Sequence, residues 1–264
     1  MTKQELLLHR LDAIGQTLEK KGEVLMLLGL GSVGIETERL DEYSDLDFFV
    51  IAKPGHAQRF IDQLDWLEDT YPLAYAFKNS DFGCKILFQD GIYGEYAVFE
   101  ESDMETAGYS EGRIVWKAPS FNNLDIVKPK IKLPELKTKT MDFAINEALT
   151  NLYVGLGRYA RGEKLSGTRF VEGYAVDNII AIMHMLQPEV DYYPDCFGND
   201  RRFEKRFPLT EDMLGNMIQG YKKVPQSAIY ILNYLEKIYP INERMSAEIR
   251  ALAAQLETQQ QKQQ

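Results

Sequence analysis

Leu7, Leu11, Ile14 and Leu18 recur at helical spacing, which predicts an amphipathic helix over residues 4–20. Residues 24–28 are an unbroken apolar run ending at glycine, which suits a buried strand. Residues 46–52 predict a second strand, stopped by Pro54-Gly55. A helix carrying Phe60, Leu64 and Leu67 follows, then strands over 73–77, 84–88 and 92–99. Ser102 and Glu105 have the spacing of a capping box, predicting a helix start, and residues 113–117 add a last strand. Beyond residue 140 the strands disappear. Met141, Ala144, Ile145, Ala148, Leu149, Leu152 and Leu156 mark one helix face. Phe170, Tyr174, Ile179, Ile182 and Leu186 mark another, stopped by Pro188. Helices near 209–221, 226–239 and 241–257 complete a bundle, with 190–208 as a long ordered loop.

Charge sharpens this division. Residues 1–126 carry a net −12 and residues 127–264 a net +2. The break falls in residues 127–139, which hold two prolines and five lysines and suit an extended connector. The expected organisation is an α/β domain over 1–126, a linker over 127–139, a helical domain over 140–257 and a frayed, glutamine-rich tail over 258–264. A formal charge of −10 over 264 residues argues against a protein that chiefly grips nucleic acid phosphates. No apolar run approaches membrane-spanning length, and the first residues carry no signal-peptide core. Cys84 and Cys196 lie far apart and read as reduced thiols, so the expected location is the cytoplasm. His9, His56 and His184 lack a cysteine pair and form no zinc pattern; His184 reads as a structural helix residue.

The chemistry concentrates in two short stretches. A strand empties into a turn containing Gly31 and Ser32, and the next strand opens with Asp45 and Asp47. Side chains two apart on a strand project from one face, so the two carboxylates point together. Adjacent like charges are costly unless a cation or protons neutralise them. Oxygen-only ligands suit Mg²⁺, which is bound by carboxylates together with water and phosphate oxygens. Gly31 and Ser32 supply close backbone approach, amide donors and a hydroxyl, the equipment for a phosphate.

The order strand, Gly-Ser, spacer, Asp-x-Asp, strand resembles the nucleotidyltransferase superfamily typified by DNA polymerase beta. Within it the chain is similar to the antibiotic nucleotidyltransferases acting on lincosamides and aminoglycosides. The twelve residues between Ser32 and Asp45 slightly exceed that family's usual spacer. Tyr93-Gly94-Glu95-Tyr96 resembles the Gly-Glu-aromatic segment of the lincosamide branch, making Glu95 the candidate third carboxylate. The resemblance implies an α+β chain: a nucleotidyltransferase-fold mixed sheet with flanking helices, then an all-α bundle. It also implies Asp45, Asp47 and Glu95 as catalytic and metal-binding residues, with two Mg²⁺ ions bracketing the α-phosphate of a nucleoside triphosphate. Gly31 and Ser32 would hold the β and γ phosphates, and Glu95 could take the proton of the attacking hydroxyl. The implied product is a nucleoside monophosphate ester, AMP from ATP in the expected case, of a small-molecule hydroxyl. The acidic first domain favours a cationic acceptor such as an antibiotic of these classes, which would make the activity one of antibiotic resistance.

Three further readings bear on this. Gly29-x-Gly31-x-x-Gly34 matches a dinucleotide fingerprint, but residues 36–42 offer no apolar helix face for it. Gly157 to Lys164 is a broken Walker pattern at a helix end. Arg169 and Arg201, from basic groups at 158–169 and 201–206, are the candidate nucleotide-binding arginines of the helical domain. Two other functions stay open: a nucleotide- or partner-binding protein of the same fold without catalysis, and a transferase acting on a protein hydroxyl. Neither a membrane nor nucleic acid is an expected partner. The oligomeric state is open, a homodimer included.

Overall fold

The structure, a computed structural model, describes residues 1–135 and 138–262. Leu136 and Lys137 of the expected connector, and Gln263 and Gln264 of the expected tail, lie outside the described residues. The chain divides into two compact units, Met1–Leu133 and Pro134–Gln264. No helix among the described residues is long and apolar enough to cross a membrane.

The first unit opens with α1 (Lys3–Lys21), started by a capping box in which Thr2 and Glu5 satisfy each other's free amides. Its Leu7, Leu11, Ile14 and Leu18 are all fully buried. At about 1.5–3 kcal/mol for each such side chain, that stripe fixes the helix against the sheet. The strands are β1 (Val24–Gly29), β2 (Leu46–Ala52), β3 (Leu73–Lys78), β4 (Gly83–Phe88), β5 (Tyr93–Glu100) and β6 (Arg113–Lys117). They form a mixed sheet ordered β3-β4-β5-β2-β1-β6. The β2–β5 pair is parallel and the other pairs are antiparallel. One face packs on α1, α2 (Ala57–Asp62) and α3 (Asp65–Glu68), burying Phe48, Phe60 and Trp66. The other buries Met26, Leu28 and Ile51 under Met104, Tyr109 and Phe121. β1 is thus covered on both sides, which is why its sequence does not alternate.

Two expectations are corrected by the fold. The single helix carrying Phe60, Leu64 and Leu67 is two short helices, broken at Gln63 and Leu64, and the indole of Trp66 donates to Phe60 O at 3.1 Å across the break. Ser102 caps no helix: the segment is a 3₁₀ turn, Asp103–Glu105, and Asp103 instead accepts the Glu100 amide.

The second unit contains α4 (Met141–Ala160), whose expected apolar face is buried from Ala144 to Leu156. The next helical stretch begins earlier than expected, at α5 (Lys164–Thr168). It passes through a π-helical turn, Arg169–Tyr174, into α6 (Ala175–Leu186), which ends before Pro188. Glu172, buried in the π turn, accepts from Ser227 Oγ at 2.7 Å and from the Gly220 amide at 3.0 Å. The 190–208 segment includes the short α7 (Phe203–Arg206) and is tied back by Val190 N to Arg206 O. Three helices complete the unit: α8 (Glu211–Met217), α9 (Val224–Ile238) and α10 (Glu243–Gln261). α10 runs past residue 257, into the stretch expected to fray.

Candidate functional site

At the end of β1 the Leu30 amide donates to Asp47 O at 2.7 Å, joining the turn to the strand that bears the acids. Gly31 comes next at φ +53°, and a Cβ there would stand 3.0 Å from Arg39 Nη2 and 4.0 Å from Asp47 Oδ2. Glycine fits this point because of the left-handed backbone, and an added Cβ would also press on the end of the Arg39 side chain. The chain then makes a 3₁₀ turn, Gly31–Val33, and Gly34 and Glu36 both donate to Gly31 O. Ser32 is buried in this turn. From β6, Arg113 clamps it: Nη2 donates to Val33 O at 2.9 Å, and Nε lies 3.3 Å from that oxygen and 3.2 Å from Gly34 O.

The Gly31 turn does not open the helix that a dinucleotide site requires. It leads into a second 3₁₀ turn, Thr37–Arg39, with no buried residue. Asp41 and Ser44 close the loop by mutual hydrogen bonds, and Asp41 Oδ1 also accepts the Tyr43 amide. β2 then begins in a buried–exposed–buried rhythm at Leu46, Asp47 and Phe48.

The parallel register of β2 and β5 aligns Asp47 with Glu95, and the antiparallel register of β4 and β5 aligns Lys85 with Glu95. Lys85, Glu95 and Asp47 therefore lie side by side on three adjacent strands, with Tyr93 two positions back on the same face of β5; Asp45 immediately precedes β2, close enough for the charge of Glu95 to act on it. Lys85 Nζ stands 2.9 Å from Glu95 Oε1, and the Tyr93 hydroxyl donates to the same oxygen at 2.8 Å.

The electrostatics separate the acids. Burial pushes the half-buried Asp45 carboxyl above its ordinary range, and the charge of Glu95 pushes it further; its own backbone amide, Arg39 and Lys3 act the other way. Burial also works to raise Glu95, but hydrogen bonds from Lys85 and Tyr93 and the lysine charge outweigh it and hold Glu95 below its ordinary range. The same contact raises Lys85.

No protein-family model and no curated protein sequence matches this chain. Among solved structures the chain is similar to an aminoglycoside 6-adenyltransferase from Bacillus subtilis. The identity is 14%, covering 99% of this chain and 98% of that one, with a TM-score of 0.34.

Gly31, Ser32, Asp45, Asp47 and Glu95 thus gather on one part of the first unit. Arg169 and Arg201 belong to the second unit: Arg169 opens the π turn and is exposed, and Arg201 pairs with Asp195 at 3.3 Å. His184 is also exposed. Among the described residues no three His, Cys, Asp or Glu side chains converge closely enough to hold a metal ion. Asp45 and Asp47 are nonetheless oxygen donors of the kind a divalent cation takes, two residues apart in sequence. Glu95 has a protein cation against it. Sequence reasoning passed over Arg39, Lys85 and Arg113. Only Lys85 carried a local signal, a charge on the outward face between buried Cys84 and Ile86.

Proposed function

We propose that this chain is a metal-dependent nucleotidyltransferase that moves a nucleoside monophosphate, AMP from ATP, onto a hydroxyl of a small molecule. The observation that carries the reading is the alignment of Asp47 with Glu95, with Asp45 just before β2, beside the turn bearing Gly31 and Ser32. A divalent ion bound there would supply Lewis-acid activation of the hydroxyl and offset charge on the phosphates. Asp45 and Asp47 are the residues to hold it. The Gly31 turn, kept in shape by Arg113, would turn backbone amides and the Ser32 hydroxyl toward the β and γ phosphates. Arg39, bordering Gly31 and Asp47, suits a phosphate oxygen. Glu95, whose Oε1 accepts from the Tyr93 hydroxyl and pairs with Lys85, would contribute charge and position beside Asp47. The excess of acids in residues 1–126 favours a cationic acceptor, an aminoglycoside or lincosamide among them.

The test incubates the protein with Mg²⁺, labelled ATP and a panel of aminoglycosides, lincosamides and cell extract. Pyrophosphate release with a nucleotide-sized mass gain on a small molecule is the expected result. A mass gain on protein moves the acceptor to a protein hydroxyl, and nucleotide binding without turnover makes the chain a binding module. Asp47→Ala should lower turnover by about 10³-fold or more while leaving the fold intact, since it removes a charge from an exposed strand position. Undiminished activity in that variant would remove Asp47 from the mechanism.

A further inference from the structure

We propose that Tyr75 and Phe77 are the floor on which the acceptor rests, taking the apolar ring of an amphiphilic molecule whose reacting hydroxyl lies at Asp47. The inference rests on the transferase reading above and narrows the acceptor to a molecule with one apolar end.

The register of the sheet sets these rings on the face that carries the acids. Phe77 is aligned with Lys85 and Tyr75 with Leu87 across β3 and β4, and Lys85 and Leu87 are aligned with Glu95 and Tyr93 across β4 and β5. Side chains of directly aligned residues project from one face. One row therefore runs Phe77, Lys85, Glu95, Asp47, and the row beside it runs Tyr75, Leu87, Tyr93. β3 is the edge of the sheet, and both of its rings stand open to solvent, Tyr75 at 55% and Phe77 at 51%. Single exposed rings are ordinary, whereas two on one face with Leu87 beside them make a continuous apolar surface.

The geometry of the transfer says what covers that surface. The acceptor oxygen bonds to the α-phosphorus as the bond from that phosphorus to the bridging oxygen breaks. Pyrophosphate leaves with the electron pair, and the hydroxyl proton passes to solvent. The attacking and leaving oxygens stand roughly in line. The turn assigned to the departing phosphates follows β1, on one side of β2, so the acceptor approaches from the other side, over β5, β4 and β3 in that order. With strands about 4.8 Å apart, β4 is about 10 Å and β3 about 14 Å from the strand of Asp47. A ring carried that far from the reacting hydroxyl rests on Tyr75 and Phe77. Charge orients the same molecule: the Lys85 ammonium, aligned with Phe77, repels a cationic group from the ring end, and the carboxylates of Asp45 and Asp47 attract one to the hydroxyl end. An acceptor that is polar throughout gains nothing from the two rings.

The experiment measures pyrophosphate release from ATP and Mg²⁺ by the full-length protein with the acceptor panel above. Within it, lincomycin carries an apolar substituted ring beside its hydroxyls, and kanamycin is polar throughout. Tyr75→Thr and Phe77→Thr remove each ring while keeping a β-branched residue in the strand, and circular dichroism checks that both are folded. The expected result is a higher kcat/KM for lincomycin than for kanamycin. Each threonine variant should raise the KM for lincomycin about 3- to 10-fold and leave the KM for ATP in place. Exchanging one ring for another, Tyr75→Phe and Phe77→Tyr, should lose far less. An unchanged KM for lincomycin in both threonine variants overturns the floor, and a rise in the KM for ATP instead gives the rings to the nucleobase and also overturns it. Turnover of kanamycin without lincomycin, or transfer to protein alone, overturns the floor and leaves the transfer chemistry standing. No pyrophosphate release with any acceptor overturns both.

Discussion

The turn holding Gly31 and Ser32 is pinned at its ends by buried Leu30 and Val33, and Arg113 holds its carbonyls, so its shape should depend in part on Arg113. Replacing Arg113 with methionine keeps much of the side-chain volume and removes every donor. Three contacts are lost, but they share two donor nitrogens and two carbonyls, so they count as about two charge-assisted hydrogen bonds. Net values for bonds to a charged group are about 1.5–3 kcal/mol each, and the solvated position of a half-buried guanidinium argues for the lower end. Arg113→Met should therefore cost about 2–4 kcal/mol, out of a typical stability of about 5–15 kcal/mol for a domain. Both tryptophans, Trp66 and Trp116, lie in the first unit, so their fluorescence in urea reads the unfolding of that unit. The loss can also appear locally. If the turn opens before the sheet does, the Gly34 and Glu36 amides, which donate to Gly31 O, should exchange with solvent faster by a factor set by the same free energy. Arg113→Lys should recover part of the effect, since an ammonium can reach one carbonyl but lacks the fork that spans two. An unchanged urea midpoint together with unchanged exchange at Gly34 and Glu36 would refute the clamp.

Three other outcomes are expected. Gly34→Ala should destabilise the first unit by about 1–3 kcal/mol or more, because its Cβ would stand 2.7 Å from Gly29 O and 2.7 Å from Leu30 C, backbone atoms that cannot swing away; the urea midpoint checks it. Ser227→Ala should cost the second unit about 1.5–3 kcal/mol, read by circular dichroism, because it leaves the buried Glu172 carboxylate with the Gly220 amide alone of those two donors. Asp65, hydrogen-bonded by Arg59 and then Lys21, has its carboxyl lowered to about 2 from 3.8. A depressed carboxyl adds stability above its unfolded value and loses it as pH falls, so an acid-side decline between about pH 4 and 2 should be present in the wild type and absent in Asp65→Asn; solvent exposure reduces it to the order of 1 kcal/mol.

The strands were legible because the core wrote them. Leu46, Asp47 and Phe48 alternate in sequence as they alternate in burial, and the unbroken apolar run of β1 matches its cover on both faces. What failed was local chemistry read without its neighbours. Ser102 and Glu105 have capping-box spacing, yet the box that forms is Thr2 with Glu5, where nineteen helical residues follow to be capped. A capping signal has meaning only if an apolar stripe extends the helix, and residues after Glu105 carry none. The break between α2 and α3 is of the same kind: the apolar spacing runs on, but buried Trp66 needs a partner for its indole N–H and finds it in a carbonyl of the preceding helix.

The candidate site divides along the same line. Asp45 and Asp47 can be paired from spacing alone because the pleat has a period of two. That Glu95 stands beside Asp47 depends on a parallel register between strands separated by forty residues, and no local pattern fixes that. The cations were hidden for a further reason. Lys85 and Arg113 read in isolation as solvated charges on strands, the ordinary fate of such residues, and they acquire roles only through what the sheet order sets next to them: β4 beside β5, and β6 beside β1. The acids were conspicuous in sequence because concentrated like charge demands compensation. The same demand implies that cations must stand nearby in the folded chain, so a basic residue on the acid-bearing face of a neighbouring strand is where a search for the missing members of such a site should begin.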